Sequence, residues 1–193
     1  MAKVEELKII TLGNSSVGKS SFIIKYVDNA FSFDYITTLG VDYKQKKIKL
    51  KNEKEIRLRI FDTAGQERFK SVSVSFIKKA DGVILIYDIG KKESFDSINN
   101  WIENIRDIGR ENLPVILVGN KCDLPNEERE VSLKDGEEKA NEFKIPFFET
   151  SCKEGINVNQ VFEKLIEEIT SKSNWKKTEF KSLNDNKKKG KCC

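Results

Sequence analysis

The sequence predicts an α/β fold: a six-stranded, mostly parallel sheet with one antiparallel strand and helices on both faces. Short apolar runs alternate with segments that carry apolar residues along one helical face, which is typical of strands joined by crossover helices. Two of the runs, residues 41–50 and 56–61, are separated by only five residues. This link is too short for a parallel crossover and predicts an antiparallel hairpin.

The individual elements follow from local patterns of apolar residues. Strands are predicted at residues 7–12, 41–50, 56–61, 82–87, 115–118 and 146–148. Helices are predicted at residues 21–27, 94–108, 132–143 and 157–169, where apolar side chains recur every three or four positions. Ser132 precedes Asp135 by three positions, which resembles a capping box, although that box normally has Glu or Gln at the third position.

Composition limits the class of protein. A chain of 193 residues, 34% of them charged and without a long apolar run, predicts one domain and no transmembrane helix. We expect no signal peptide in the short acidic N-terminus, and Ala2 excludes N-myristoylation. The complete absence of histidine excludes a His-based triad and a His-ligated metal. The four cysteines form neither a disulfide framework nor a zinc spacing, which fits a reducing, cytosolic setting.

Charge is unevenly distributed along the chain. The net charge is +4, but from Lys172 onward eight lysines accompany two acidic residues, a local charge of +6 that leaves −2 for residues 1–171. We therefore predict a single domain over residues 1–171 and a disordered basic tail over residues 172–193. Such a tail is typical of an interaction arm, and we expect no nucleic-acid partner.

A phosphate-binding loop directly follows the first predicted strand. Residues 13–20 read GNSSVGKS and match the pattern G-x-x-x-x-G-K-S between a strand and a helix. Gly13 and Gly18 allow the backbone to turn tightly, so that successive N–H groups and the helix N-terminus bind phosphate oxygens. Lys19 reaches the β- and γ-phosphates and the Ser20 hydroxyl coordinates Mg²⁺. The alternative is a glycine-rich turn that matches by chance, but the flanking strand and helix favour a P-loop three-layer sandwich.

An acidic residue directly follows the third predicted strand. Asp62 opens the segment DTAGQE, residues 62–67, next to the phosphate-binding loop. A carboxylate at this position holds Mg²⁺, directly or through water. The alternative is a strand-end turn in which Asp62 caps a helix, and the upstream loop favours the metal.

Two further blocks predict recognition of a base. Asn120, Lys121 and Asp123 follow the fifth strand. A carboxylate at Asp123 accepts two hydrogen bonds that guanine offers and adenine does not, with discrimination on the order of 10⁴ or more. Asn120 braces the loop, and the Lys121 stem covers the ring. The alternative is a polar turn before residues 124–125. The presence of a phosphate-binding loop in the same sequence makes this alternative less favoured.

The last block, Ser151, Cys152 and Lys153, follows the sixth strand. Its backbone N–H groups are placed to meet the guanine O6, and Lys153 to pack on the base. These three residues are a weak signal alone, and their position after the last strand strengthens it.

These four blocks, in this order and at these intervals, resemble the small Ras-like GTPases over residues 5–170. The resemblance implies that the chain binds GTP and GDP with Mg²⁺ and hydrolyses GTP. It implies that Phe31 packs against the guanine edge, that Thr38 supplies a second Mg²⁺-binding hydroxyl, and that the Gly65 N–H senses the γ-phosphate. Gln66 would position the attacking water, with Lys19, Thr38 and Gly65 completing the catalytic set. The implied nucleotide contacts are Ser15, Ser16, Val17, Gly18, Lys19, Ser20, Ser21, Phe31, Thr38, Gly65, Asn120, Lys121, Asp123, Leu124, Ser151, Cys152 and Lys153, and the implied Mg²⁺ ligands are Ser20, Thr38 and Asp62.

Within that family the chain resembles the Rab branch. Residues 40–43 (GVDY), residues 57–69 (RLRIFDTAGQERF) and the terminal Cys-Cys carry this resemblance. Rab proteins usually have Phe where Tyr43 stands, Trp where Phe61 stands, and a pair of tyrosines at residues 76–77. These departures lie on the surface that effectors read, so they affect the choice of partners and not the nucleotide chemistry.

The tail implies a membrane link. Cys192 and Cys193 do not fit C-a-a-X, but a terminal Cys-Cys resembles the family's double geranylgeranylation signal, and two chains with nearby lysines suffice for stable anchoring. We therefore expect a monomeric switch in vesicle-mediated transport, on the cytoplasmic face of an intracellular membrane with a cytosolic pool. Its expected partners are exchange factors, GTPase-activating proteins, a dissociation inhibitor and effectors. The alternatives are a Ras-like signalling GTPase and a nucleotide-binding scaffold that does not hydrolyse.

Overall fold

The computed structural model describes residues 5–31, 41–50, 53–63 and 70–171, without the side chains of residues 41 and 70–73. Its centre is a six-stranded sheet in the order β2-β3-β1-β4-β5-β6. Only β2 runs antiparallel to its neighbour. The predicted fold class is confirmed.

The strands are β1 (Glu5–Leu12), β2 (Val41–Lys49), β3 (Glu55–Thr63), β4 (Gly82–Asp88), β5 (Val115–Asn120) and β6 (Phe147–Thr150). The helices are α1 (Lys19–Asp28), α2 (Lys70–Ile77), α3 (Lys92–Asp96), α4 (Ile98–Ile108), α5 (Leu133–Phe143) and α6 (Val158–Ser171), with a 3-10 turn at Asn126–Glu128. None of these helices is both long and apolar enough to cross a membrane.

The sheet separates two apolar cores. The first lies against α1 and α6 and includes Ile84 and Ile86. The second lies against α2 to α5 and includes Leu85 and Tyr87. All seven residues of β4 are buried, because a parallel strand covered on both faces has no solvent-facing side.

Strand registration brings the carboxyl ends of β1 and β3 together. Thr11 of β1 pairs with Asp62 of β3, and the hairpin places Val41 opposite Thr63. Loops that follow parallel strands therefore leave the sheet at one edge, where ligands bind in such folds.

Two helical segments differ from prediction. The helix predicted at residues 94–108 begins at Lys92 and is divided into α3 and α4 at Ser97. The Ser97 hydroxyl donates to the Glu93 carbonyl at 2.8 Å, and this kind of back-bonding bends helices. Helix α2 was not predicted, because its sequence, KSVSVSFI, alternates serine with apolar residues and has no helical stripe.

The capping arrangement before α5 is a complete capping box. The Ser132 hydroxyl accepts from the Asp135 N–H at 3.1 Å, and the Asp135 carboxylate accepts from the Ser132 N–H at 3.1 Å. Hydrogen bonds from the Ser132 hydroxyl and N–H lower the pKa of Asp135. Aspartate therefore serves at the position where the box normally has glutamate or glutamine.

Candidate nucleotide-binding site

Three loops meet at the carboxyl edge of the sheet: the loop after β1, the loop after β5 and the loop after β6. The Asn120 side-chain amide donates to the Val17 carbonyl at 2.9 Å, although the two residues are 103 positions apart. The Ser151 hydroxyl donates to the Asp123 carboxylate at 2.6 Å. These two bonds join three of the four blocks singled out in the sequence, and a bond from Ser20 to Asp62 joins the fourth.

The loop after β1 needs its two glycines. Gly13 has φ +138° and Gly18 has φ +100°. A Cβ at Gly13 would collide with the Ile86 carbonyl oxygen, and one at Gly18 with the Asn120 amide. Ser16 also has a positive φ of 63°, and left-handed residues of this kind make successive N–H groups converge on an anion.

Helix α1 begins directly after this loop, at Lys19. No side chain in the described part of the chain caps its N-terminus, and its first turn contains no acidic residue. These are the conditions under which a helix N-terminus accepts an anion. The Lys19 ammonium donates to the Gly13 carbonyl at 3.0 Å and to the Asn14 carbonyl at 2.7 Å, so it lies over the loop. Ser15 and Ser16 are exposed, whereas Val17 is buried.

Ser20 and Asp62 contact each other beside this loop. The Ser20 hydroxyl donates to an Asp62 carboxylate oxygen at 2.5 Å, and Asp62 is 9% exposed. Hydroxyl and carboxylate oxygens are the ligand types that Mg²⁺ takes, together with substrate phosphates and water. Within the described residues there is no cluster of three His, Cys, Asp or Glu side chains that could hold a metal ion. The Ser20 and Asp62 pair fits an Mg²⁺ ion that takes its further ligands from nucleotide, from water and from outside the described residues.

Asn120 is the central residue of the base end. It is 2% exposed, and its side-chain oxygen accepts from the Thr150 hydroxyl at 3.1 Å and from the Cys152 thiol at 3.4 Å. Together with the bond to Val17, these contacts connect the loops after β1, β5 and β6 through one amide. Thr150 was not singled out in the sequence.

Asp123 is fixed from the loop after β6. Its second carboxylate oxygen lies 3.9 Å from the Lys153 ammonium. Ser151 was expected to act through its backbone, and the structure shows in addition that its hydroxyl holds the Asp123 carboxylate and accepts from the Glu154 N–H at 3.0 Å. The loop is closed by two backbone bonds between Ser151 and Ile156.

The remaining predicted base contacts flank these residues. Lys121 has a positive φ of 72°, and its ammonium lies 2.6 Å from the Asp88 carboxylate. Phe31 packs against the core of α1 and α6, and Leu124 packs against the core on the other face. Asp88 was not singled out in the sequence.

A contact missed in the sequence ties the phosphate loop to α4. The Asn14 amide donates to the Ser97 hydroxyl at 3.0 Å, and its oxygen accepts from the Trp101 indole at 2.9 Å. No motif predicts this contact. It joins Asn14, a position at which the loop motif specifies no residue, to a helix more than 80 residues away.

Burial keeps the two internal thiols protonated. It raises the pKa of Cys152 to about 12, and it is also the main cause of the raised pKa of Cys122. Neither thiol is a thiolate near neutral pH, so neither is an activated nucleophile.

A separate groove of about 360 Å³ lies at the opposite end of the sheet, where β5 and β6 begin. It is lined by apolar residues such as Ile105, Leu113 and Phe143, with Arg106 and Lys144 among its charged residues. None of the three loops contributes to it.

Four groups of predicted residues fall outside the described part of the chain. They are Thr38, Gly65, Gln66 and the terminal pair Cys192 and Cys193. The same holds for the tail at residues 172–193, so its boundary stays a prediction.

Comparison with known proteins agrees with this geometry. The model of the Ras family matches residues 8–171. The chain is 46% identical over 165 residues to the Ras-related protein Rab-3 of Caenorhabditis elegans, which covers 86% of this chain and 74% of that protein. It is 45% identical over 167 residues to the GTP-binding protein Rab-3D of Rattus norvegicus, covering 86% and 75%. It is 44% identical over 165 residues to the human Ras-related protein Rab-3A, covering 86% and 74%.

The chain therefore belongs to the Ras family and is a small GTPase, an enzyme that hydrolyses GTP. Its similarity to several Rab-3 proteins over most of its length places it in the Rab branch of that family. The predicted family and activity are confirmed.

Proposed function

We propose that this Rab-like GTPase is a membrane-anchored switch in vesicle-mediated transport, with its nucleotide at the three-loop site. The observation that carries the proposed site is the Asn120 amide, which joins the loop after β1 to the loops after β5 and β6. One nucleotide can be bound by its phosphates and its base together only if these loops keep fixed positions relative to one another. The hydrogen bonds of Asn120 connect the loops and hold them in these positions.

At the phosphate end, residues 15–21 bind the phosphates through backbone N–H groups, Lys19 and the N-terminus of α1. Ser20 and Asp62 hold Mg²⁺, with Thr38 as a further ligand. Bound Mg²⁺ supplies positive charge that offsets the charge of the phosphates. The contact between Ser20 and Asp62 supports this assignment.

At the base end, Asp123 accepts hydrogen bonds from guanine. Ser151 supports this role because its hydroxyl fixes one carboxylate oxygen and so limits the directions in which the carboxylate can turn. Lys121, Lys153 and Phe31 cover the base, while Cys152 and Leu124 line the loop. An adenine leaves the carboxylate without its partners, which weakens binding.

Hydrolysis and switching follow the pattern of the Ras family. Gln66 orients a water molecule for in-line attack on the γ-phosphate, and Lys19 stabilises the charge that develops. Thr38 and Gly65 contact the γ-phosphate in the GTP state and are released after hydrolysis, and partners read this change.

The tail connects the switch to membranes. Two geranylgeranyl groups on Cys192 and Cys193, with the neighbouring lysines, anchor the protein to the cytoplasmic face of an intracellular membrane. A dissociation inhibitor maintains the cytosolic pool, and exchange factors, GTPase-activating proteins and effectors act on a monomer.

Competition binding tests the base assignment. Fluorescent GDP is displaced from the wild type by GTP, by ATP and by xanthosine triphosphate. We expect GTP to compete at least about 10⁴-fold better than ATP, and Asp123→Asn to weaken GTP and favour xanthosine triphosphate. Asp107→Asn, an exposed aspartate on α4, is the control and should match the wild type. Equal competition by ATP and GTP would show that the guanine assignment is wrong.

Single-turnover hydrolysis of bound GTP tests the catalytic assignment. Gln66→Leu keeps the bulk and removes the amide, so affinity should persist while turnover falls. Thr38→Ala should still bind nucleotide but lose recognition by effectors. Hydrolysis by Gln66→Leu at the wild-type rate, with and without an activating protein, would exclude the proposed role of Gln66.

Imaging tests the membrane assignment. A fluorescent protein fused to the N-terminus is followed with the wild-type tail and with Cys192 and Cys193 both changed to serine. We expect the wild type on an intracellular membrane and the variant in the cytosol. The same distribution for both would contradict anchoring through these cysteines.

A further inference from the structure

We infer that Asp88 is a positioning residue for the nucleotide, because its buried carboxylate fixes the Lys121 side chain over the place of the base. This inference rests on the proposed function of the three-loop site. No sequence motif marks Asp88, which ends β4 and pairs in register with Asn120 of β5.

The Asp88 side chain is a prearranged acceptor. It is 2% exposed, and one carboxylate oxygen accepts from the Gly90 N–H at 3.0 Å. The Asp88 backbone is held by the Ser94 hydroxyl, which accepts from its N–H at 3.0 Å and donates to its carbonyl at 3.2 Å. The turn after β4 therefore sets the position of this carboxylate independently of Lys121.

Lys121 is the more exposed member of the pair. Its side chain is 35% exposed, and a lysine stem has four carbons about which it can turn. The ammonium lies 2.6 Å from the carboxylate oxygen of Asp88 that does not bind Gly90. Anchoring the far end of the stem to a fixed group removes most of its freedom before the nucleotide arrives, which lowers the entropy lost on binding.

The direction of influence follows from this asymmetry. Asp88 would keep its place without Lys121, since Gly90 and Ser94 hold it. Lys121 without Asp88 would turn into solvent, and its stem would leave the base. Removing the Asp88 carboxylate therefore weakens nucleotide binding by releasing the Lys121 side chain. The binding of GDP and of GTP is weakened equally, because both carry the same base.

The matched control lies at the other end of the same strand. Asp81 directly precedes β4, is 16% exposed in its side chain and pairs with Arg110 at 2.9 Å. Its carboxylate also accepts from the Lys8 N–H at 2.8 Å. Asp81→Asn thus removes an ion pair whose carboxylate, like that of Asp88, also accepts from a backbone N–H, but this pair lies far from the three loops.

The test measures the release of fluorescent GDP and GTP analogues from the full-length protein. We expect Asp88→Asn, which preserves shape and the Gly90 bond, to release both about tenfold faster, as the loss of a charge-assisted hydrogen bond predicts. Asp81→Asn should stay within about twofold of the wild type. Equal release from Asp88→Asn and the wild type, or equal acceleration in both aspartate variants, would overturn the inference.

A double-mutant cycle separates positioning from general stability. Lys121→Gln removes the charge, and adding Asp88→Asn to it should produce no further acceleration, because the two changes act through one contact. Additive acceleration would show that Asp88 acts by another route.

If Asp88→Asn does not fold, Lys121→Arg and Lys121→Gln make the same test. Arginine keeps a cation for Asp88 and should release GDP more slowly than Lys121→Gln, which should release it about tenfold faster than the wild type. Equal rates in the two variants would contradict the inference. A wild type that retains no nucleotide would instead refute the proposed site itself.

Discussion

Replacing Asn120 by alanine should destabilise the whole fold and not only nucleotide binding. The Asn120 side chain is buried, and its removal leaves the Val17 carbonyl and the Thr150 hydroxyl without their partner. Val17 and Thr150 are both fully buried, so water does not readily replace the lost bonds. A third, weaker bond from the Cys152 thiol is lost as well.

The magnitude follows from these contacts. Each buried polar group left unpaired costs about 1–3 kcal/mol, and two such groups predict a loss of about 4 kcal/mol. For a domain of this size, 1 kcal/mol corresponds to roughly 2–4 °C in Tm. Asn120→Ala should therefore lower the Tm by about 8–16 °C.

Thermal unfolding followed by circular dichroism at saturating GDP measures this loss. Because bound nucleotide raises the Tm by mass action, the scan is repeated at several GDP concentrations, and variants are compared at equal saturation. Asn104→Ala is the control, since Asn104 is exposed and, within the described part of the chain, its amide donates to the Asn100 carbonyl on the helix surface alone. A fall of less than about 2 °C for Asn120→Ala, or an equal fall in the control, would refute the reasoning.

Three further predictions follow from the site and its surroundings. Ser20→Asn should disturb the Mg²⁺ site and favour the GDP-bound or empty form. In the wild type, EDTA should speed the release of GDP. Unchanged retention of GTP and GDP in both experiments would contradict the metal assignment. Burial raises the pKa of the Cys152 thiol from 9.0 to about 12, so the folded state holds this proton more tightly than the unfolded state. This contribution to stability is complete below pH 9 and is lost as the pH rises toward 12. Cys152→Ala should therefore flatten the fall of the urea midpoint between pH 9 and pH 11, and an unchanged slope would refute this. Glu149→Gln should destabilise the fold by about 1–3 kcal/mol, because the Arg129 guanidinium donates two hydrogen bonds to the Glu149 carboxylate, at 2.6 and 2.9 Å. Chemical denaturation measures this loss of folding free energy. The control is Glu138→Gln on the surface of α5, whose stability should stay near that of the wild type.

The sequence was sufficient for the sheet and for the edge at which its polar blocks meet. Residues 41–50 and 56–61 predicted the hairpin because the short link leaves no other connection, and polar blocks after parallel strands are expected to share one edge. The loop after β1 is recognisable because Gly13 and Gly18 occupy positions where a Cβ meets backbone or a buried amide. In each case a short sequence pattern is enough to identify the element, even where the contacts that require it are distant in sequence.

The partners of the site residues were harder to predict. Asp88, Thr150 and Ser97 are single polar residues at the ends of strands or helices, and such positions have many candidate partners. Which one is used depends on strand register and loop shape, as with Asp88 and Lys121, whose contact requires β4 to lie beside β5. Helix α2 was missed for a different reason. Its serine-rich sequence has only a weak intrinsic preference for a helix, so tertiary contacts determine its secondary structure.

The bond between Asn14 and Trp101 suits the indole to serve as an optical reporter of the phosphate loop. Trp101 is one of two tryptophans in the chain, and the other, Trp175, belongs to the predicted tail. Because the emission energy of an indole depends on the groups around it, and its N–H is bonded to the loop, we expect its emission to change when nucleotide enters or leaves. Nucleotide exchange would then be followed in real time on the unlabelled protein, with Trp175→Phe removing the background signal of the second tryptophan.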